Sequence, residues 1–361
     1  MKVCIISYDE YINIPYIQKY EYYLKKHNIS YDIILWDRRD VIKDNVEGTY
    51  LFKSPVRKSK LSKIIPFLKW RKFVLQILES NVYDKLIILT TIPGILIYKK
   101  LLNQYEEKYI FDIRDYTYEY LKIYKKMVNK LVQKSSITFI SSEGFKSWLQ
   151  PNEKICITHN ITNIDKNLHD INLLKNREVI TIGFVGGIRY YDENKKLIEN
   201  LQNRRDIQMV YAGKVHAGIK LKEYCVKNNV VNVTFEPEFT NDQKPEIYKN
   251  IDVINAVYGD NNMVVKTALP NKLYDCILFK KPIMASENTY LAEIVKKYHL
   301  GFAIDIEKDD IYNKLYEYIS KFNLQLFLEG CDELIQKVIQ EEKNVTLKIE
   351  DFIGDYHNAI N

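Results

Sequence analysis

Apolar positions along this chain follow two alternating periods. Short apolar runs of strand length recur between stretches where apolar residues return every three or four positions, as on one face of a helix. The spacing predicts strands at Lys2 to Ser7, Tyr31 to Trp36, Lys85 to Thr90, Lys108 to Ile113, Ser136 to Ser141 and near Lys154 to Thr158, with a helix from about Ile14 to His27. Between Asn160 and Asn176 the pattern turns polar and the periodicity fades. A second series of strands then follows at Val179 to Val185, Ile207 to Ala212, Asn232 to Phe235, Asp252 to Val257, Pro282 to Ser286 and Phe302 to Ile304. Strands alternating with helices mean a mostly parallel sheet covered on both faces. The expectation is therefore an α/β protein with domains at 1–165 and 178–340, a linker at 166–177 and a C-terminal helical segment at 341–361. The last helical segments, Asp310 to Phe322, Gln325 to Gln340 and about Leu347 to His357, carry no evident site residue, which gives them a structural role.

Functional side chains in such sheets gather just beyond the carboxyl ends of the strands. In the second half, Ala268-Leu-Pro-Asn-Lys-Leu-Tyr-Asp275 opens a helix. Pro270 suits its first turn, because the fixed φ is already helical and the missing N–H would be unpaired there. Asn271 and Lys272 then sit at a helix N-terminus. Free N–H groups, partial positive charge and a lysine ammonium together suit an anion such as a phosphate. Asp275 shares their face one turn deeper, where a carboxylate can accept from ribose hydroxyls. The plainer alternative is a salt-bridged Asp275 in an ordinary αβ unit.

The strand Ile180 to Val185 ends in Gly186-Gly187, followed by Arg189. Adjacent glycines let backbone approach a ligand closely, and a guanidinium can hold a diphosphate bidentately. Most Gly-Gly turns merely reverse the chain, so Arg189 is the informative residue. Gly213-Lys214 ends the next strand and can flank a base. Glu236 to Phe239 and Tyr258 to Asn262 close two more strands, so four strand ends meet at one crevice.

The first half offers Asp112, Arg114 and Asp115 after the strand Tyr109-Ile-Phe, either as a substrate site or as an Arg and Asp network that ties the loop down. His159-Asn160 is similarly placed, with a simple turn as its alternative. Between Lys53 and Phe73, basic residues including Arg57, Lys58, Lys60 and Lys63 alternate with apolar ones and no acid intervenes. Such a segment can lie on an anionic membrane surface; its alternative is a core helix with a solvated basic face. Pro66 interrupts it as a single helix.

Composition narrows the classes. The loop Ser7 to Pro15 has no glycine, which removes the dinucleotide fingerprint and disfavours a nicotinamide or flavin enzyme. A net charge of +6 from 53 basic and 47 acidic residues is mild and does not demand a nucleic acid. The cysteines, Cys4, Cys156, Cys225, Cys276 and Cys331, are far apart and lack a Cys-x-x-Cys pair, which argues against disulfides and a zinc site. No Asp-x-Asp and no His or carboxylate cluster at metal-ligand spacing occurs, so no metal and no cofactor is expected. The start of the chain lacks the apolar length of a signal peptide, and no run approaches about 18 apolar residues, which places the expectation in the cytoplasm.

With these residues assembled, the chain resembles glycosyltransferases of the GT-B architecture, most closely the family 4 type that builds bacterial capsular and extracellular polysaccharides. The likeness rests on Phe-Asp-Ile-Arg-Asp at 111–115, Gly-Phe-Val-Gly-Gly-Ile-Arg at 183–189, Tyr-Ala-Gly-Lys at 211–214 and Leu-Pro-Asn-Lys-Leu-Tyr-Asp with Lys-Pro-Ile after it. The resemblance implies two Rossmann-like domains facing across a cleft. The C-terminal domain would hold a nucleotide-diphosphate sugar as co-substrate, and the N-terminal domain a lipid-linked glycan acceptor. It gives Arg189 and Lys272 the diphosphate and Asp275 the ribose, with Gly186, Gly187, Gly213, Lys214 and Asn271 around them. Asp112, Arg114, Asp115 and His159 would border the acceptor. Transfer would retain anomeric configuration, without a metal, on the inner face of a membrane touched through residues 53–73. Thr267 stands where the family usually has the first Glu of a Glu-x7-Glu motif, and Asp275 is one methylene shorter than the second. A GT-B sugar-nucleotide epimerase and a non-catalytic partner subunit of a transferase are the rival readings.

Overall fold

The computed structural model describes residues 1–38, 48–54, 64–161, 177–214 and 217–354. The chain forms two compact units, one of Met1–His159 with Gln340–Asn361 and one of Asn160–Ile339.

The first unit is built on strands β1 (Lys2–Ile6), β2 (Ser30–Asp37), β3 (Thr49–Lys53), β4 (Lys85–Leu89), β5 (Tyr109–Ile113), β6 (Ile137–Ile140) and β7 (Ile155–Ile157). They form a 7-stranded sheet in the order β3-β2-β1-β4-β5-β6-β7, with every pairing parallel. Helices α1 (Ile17–Lys26), α2 (Ile64–Ser80), α3 (Thr91–Leu96), α4 (Tyr98–Gln104) and α5 (Lys122–Lys134) connect them. Crossovers between parallel strands are right-handed, so the step from β1 to β2 and the return through β4, β5 and β6 place their helices on opposite faces. Side-chain alternation agrees. Val3, Ile5, Ile33, Leu35, Ile87 and Leu89 pack with Tyr20 and Leu24 of α1. On the other face Trp36 stacks on Trp70 of α2, and Gly94 of α3 lies against Phe111 and Leu131.

The second unit has β8 (Ile180–Val185), β9 (Ile207–Ala212), β10 (Val233–Glu236), β11 (Val253–Ala256), β12 (Ile283–Ser286) and β13 (Gly301–Ile304). These pair in parallel in the order β10-β9-β8-β11-β12-β13. Its helices are α6 (Tyr191–Leu201), α7 (Gly218–Lys227), α8 (Lys244–Lys249), α9 (Met263–Thr267), α10 (Asn271–Phe279), α11 (Tyr290–Lys297), α12 (Ile311–Lys321) and the start of α13 (Leu324–Gly354). The α/β class with parallel sheets stands as expected.

Local readings differ in three places. Strand β3 was not expected; it is an edge strand of half-buried residues with little apolar contrast. Pro66 does not interrupt α2, because it falls in the first turn, where a missing N–H costs no hydrogen bond. The two helical segments expected after Gln325 are one helix: α13 runs on through Asn344 and Thr346, weak helix formers, because Val345 and Ile349 are buried in the first core. Residues 55–63, with Arg57, Lys58, Lys60 and Lys63 of the basic segment, lie outside the described residues.

Candidate functional site

In the second unit β8 and β11 are neighbours, yet the chain leaves them in opposite directions, towards β10 and towards β13. At such a switch point the carboxyl ends of adjacent strands part and leave room for a ligand. Gly186 and Gly213, just beyond β8 and β9, have φ of +118° and +126°. A Cβ on Gly213 would stand 2.4 Å from the Gly186 carbonyl oxygen, so these glycines let the two loops touch. The Gly186 N–H donates to the Ala212 carbonyl (2.9 Å) and the Ile188 N–H to that of Lys214 (3.0 Å). Asn194 of α6 pins the backbone from the other side, donating to the carbonyls of Arg189 and Tyr190 at 2.8 and 2.9 Å. The loop is thus held by backbone, while Gly187 and the Arg189 and Lys214 side chains stay exposed.

The chain beyond β11 is fixed by Ser286, whose hydroxyl accepts from the N–H groups of Tyr258 and Gly259 at 2.9 and 2.8 Å. This sets the Tyr258 ring beside those of Tyr190 and Phe184. Pro270 is not inside the first turn of α10 but immediately before it, in extended conformation (ψ 156°). Asn271 and Lys272 still open the helix. Asn271 is exposed, whereas Lys272 and Asp275 are buried.

Lys272 directs its ammonium at the face of Phe184, 2.9 Å from the ring centroid, with Tyr258 at 5.1 Å. Among the described residues it makes no hydrogen bond and no ion pair. Burial drives its pKa well below the ordinary lysine value; Asp275 opposes the shift, and the like charges of Lys244 and Arg189 add to it. Asp275 is already engaged. Lys244 Nζ lies 2.9 and 3.2 Å from its two oxygens, and the Tyr248 hydroxyl donates to it at 2.8 Å. One carboxylate therefore stands among three cations, two of them without an anionic partner among the described residues, beside a glycine-built loop and a helix N-terminus. This arrangement suits a dianion.

Lys244 and Tyr248 were not anticipated. A capping box of Thr240 and Gln243 marks the start of their helical stretch, but nothing local links positions 244 and 275. Thr267 closes α9, buried, with its hydroxyl donating to the Met263 carbonyl at 2.7 Å.

The first-unit candidates form a separate cluster. Asp112, fully buried at the end of β5, takes a bidentate grip from Arg114 (2.6 and 2.8 Å) and a hydrogen bond from the Tyr20 hydroxyl (2.7 Å). The Arg114 guanidinium also covers the Tyr16 ring at 4.3 Å. This is the tie-down geometry for Asp112 and Arg114: both carboxylate oxygens are occupied. Asp115 is exposed. His159 is buried, its Nε2 2.7 Å from Glu341 and its N–H donating to Glu342 at 2.6 Å. Glu342 also pairs with Lys19 and accepts from the Thr158 hydroxyl. Burial pushes the Glu342 pKa up, but Lys19 and these donors bring it below the usual carboxylate value. Lys19 is lowered as well: burial outweighs the attraction of Glu342, and Arg114 repels it.

The two parallel α/β units define the GT-B class of fold, and solved structures of that class match almost the whole chain. Sucrose-phosphate synthase from Thermosynechococcus elongatus matches at TM-score 0.73 and 10% identity, covering 99% of this chain and 100% of its own. HepE of Anabaena, in complex with UDP-glucose, matches at TM-score 0.68 and 12% identity over 97% of this chain and 100% of its own. The lipopolysaccharide outer core galactosyltransferase WaaB matches at 0.65 and 14% identity over 99% and 100%. No protein-family model matches the chain, and no curated protein is similar to it in sequence.

Proposed function

We propose that this chain is a glycosyltransferase that moves a sugar from a nucleotide-diphosphate sugar to a hydroxyl of a growing, lipid-linked surface glycan of the capsular or extracellular type. The observation that carries the reading is Lys272, a buried ammonium without hydrogen bond or ion pair among the described residues, beside the exposed Arg189 at the switch point of the second unit. A departing nucleoside diphosphate supplies the negative charge this place lacks. Arg189 and Lys272 would stabilise that charge as the glycosidic bond to it breaks, without a metal, and with retention of configuration. The fold shared with HepE, bound there to UDP-glucose, supports the choice of co-substrate. Asp275 would hold the ribose once Lys244 yields to it or shares it. Asp115 and His159 remain candidates on the acceptor side, with Asp112 and Arg114 as their support. A lipid-linked acceptor brings the enzyme to the inner face of a membrane, and residues 53–73 are the candidate contact. Among the described residues no helix is long and apolar enough to cross one.

The test is thermal stabilisation by UDP, GDP, dTDP and CMP, with Arg189→Ala and Asp275→Ala alongside. A ligand at about 100 times its dissociation constant adds roughly 2.7 kcal/mol, which a melting curve resolves. One diphosphate is expected to stabilise the wild type and neither variant. Turnover of the matching nucleotide sugar should then fall in Arg189→Ala by about 2–4 kcal/mol in barrier. Stabilisation by none of the nucleotides would leave a non-catalytic partner subunit as the better reading, and turnover of donor without any acceptor would favour an epimerase.

A further inference from the structure

The helices on the two faces of the first sheet differ in charge. The layer of α2, α3, α4 and α5 carries lysine or arginine in every helix but α3 and a single acid, Glu79; α5 holds lysines and no acid at all. Helices following parallel strands start at the carboxyl edge of the sheet, and there this layer exposes large apolar side chains. Ile64 and Leu68 in the first turns of α2 are 54% and 56% exposed. Just before α5, Tyr120 is 65% exposed and Leu121 50%, and Ile123 in the first turn of the helix is 79% exposed.

The two groups belong to one edge. Tyr8, just beyond β1, sets its ring 6.5 Å from that of Phe67 in α2, and β1 pairs with β4, the strand that leads into α3. The ring of Tyr124 lies 5.7 Å from that of Tyr118, and its hydroxyl is 2.9 Å from that of Thr91 in α3. Around the apolar tips stand the exposed cations Lys69, Lys72, Lys122 and Lys126. Aliphatic tips gain nothing from the phosphates of a nucleic acid. They do gain from acyl chains, while tyrosine suits the headgroup level and lysine the anionic surface.

We propose that this edge of the first unit, made by Ile64, Ile65 and Leu68 together with Tyr120, Leu121 and Ile123, rests on an anionic lipid bilayer. The inference rests on the membrane contact put forward above and adds a second, apolar element to it; it does not depend on sugar transfer.

The purified chain of 361 residues should sediment with vesicles of phosphatidylcholine and phosphatidylglycerol and much less with phosphatidylcholine alone, in a salt-sensitive way. Ile123→Ser and Leu68→Ser are each expected to weaken binding about tenfold. Lys122→Gln should weaken it about fivefold. These side chains are exposed, so the variants should melt with the wild type. Val226→Ser, at an equally exposed site of the second unit, should bind as the wild type does. Absence of sedimentation with the anionic vesicles, or unchanged binding by Ile123→Ser, would overturn the proposal. So would a concentration-dependent dimer abolished by Ile123→Ser without vesicle binding, which would assign the surface to a second copy of the chain. Stabilisation by the same four nucleotides, read on the same samples, separates the two readings: failure of all four alone counts against the donor site, and loss of vesicle binding alone against this one.

Discussion

Lys272 of the candidate site is a buried cation and carries an energetic cost. Lys272 keeps an ammonium against two aromatic rings, and burial depresses its pKa. At pH below the folded value both folded and unfolded chains carry the proton, so the full cost of burying the charge is present. Between the folded value and about 10.4, that of a free lysine, the native state releases the proton while the unfolded state keeps it. Stability therefore rises with pH across that window on account of this residue. Lys272→Met should lose that slope relative to the wild type and gain about 1 kcal/mol at neutral pH in urea denaturation, because an apolar side chain replaces a buried charge. It should also lose stabilisation by a nucleoside diphosphate. A variant less stable than wild type at neutral pH would mean that the rings and Asp275 already compensate the charge. Within the candidate site, the places of Lys272 and Arg189 in the fold were legible because their signal is local: a helix start and a strand end. The Lys244–Asp275 pair was not, since its partners are far apart in sequence and meet only through the sheet order.

Among the elements, α13 departs furthest from its local pattern. Gly330 lies within it, where alanine normally gains up to about 1 kcal/mol over glycine. Here a Cβ would stand 1.7 Å from the Tyr298 carbonyl oxygen, so the helix would have to move off the turn that precedes β13. Gly330→Ala is expected to lose about 1–3 kcal/mol by overpacking, read as a lower urea midpoint with unchanged slope. An increase would show that the helix yields easily. The strands with continuous apolar runs were legible almost to their ends, because burial on both faces leaves an unbroken signal. Edge strand β3 lacks that signal, and the unbroken course of α13 is decided by burial rather than propensity.

At the scale of the whole molecule, the repeated βαβ pattern announces two parallel sheets, but the pattern cannot say which core a terminal helix serves. α13 serves both. Phe327, Cys331, Leu334 and Val338 are buried in the second core, while Val345, Ile349, Phe352 and Ile353 are buried in the first. Its later turns also bring Glu342 to Lys19, Glu350 to Lys26 and the Phe352 carbonyl to the ammonium of Lys85. At about 1.5–3 kcal/mol for each large apolar side chain, those four residues represent roughly 6–12 kcal/mol of burial. The whole stability of a domain is about 5–15 kcal/mol. A chain ending at 339 should therefore lose the first unit although every strand of that unit is intact. Hydrogen exchange is the direct readout: amides of β1, β4 and β5 should lose protection while those of β8, β9 and β11 keep theirs. Continued protection of β1 and β4 would mean that α1 and the sheet hold the first core without α13. Equal loss in both sheets would mean that the second unit folds only together with the first.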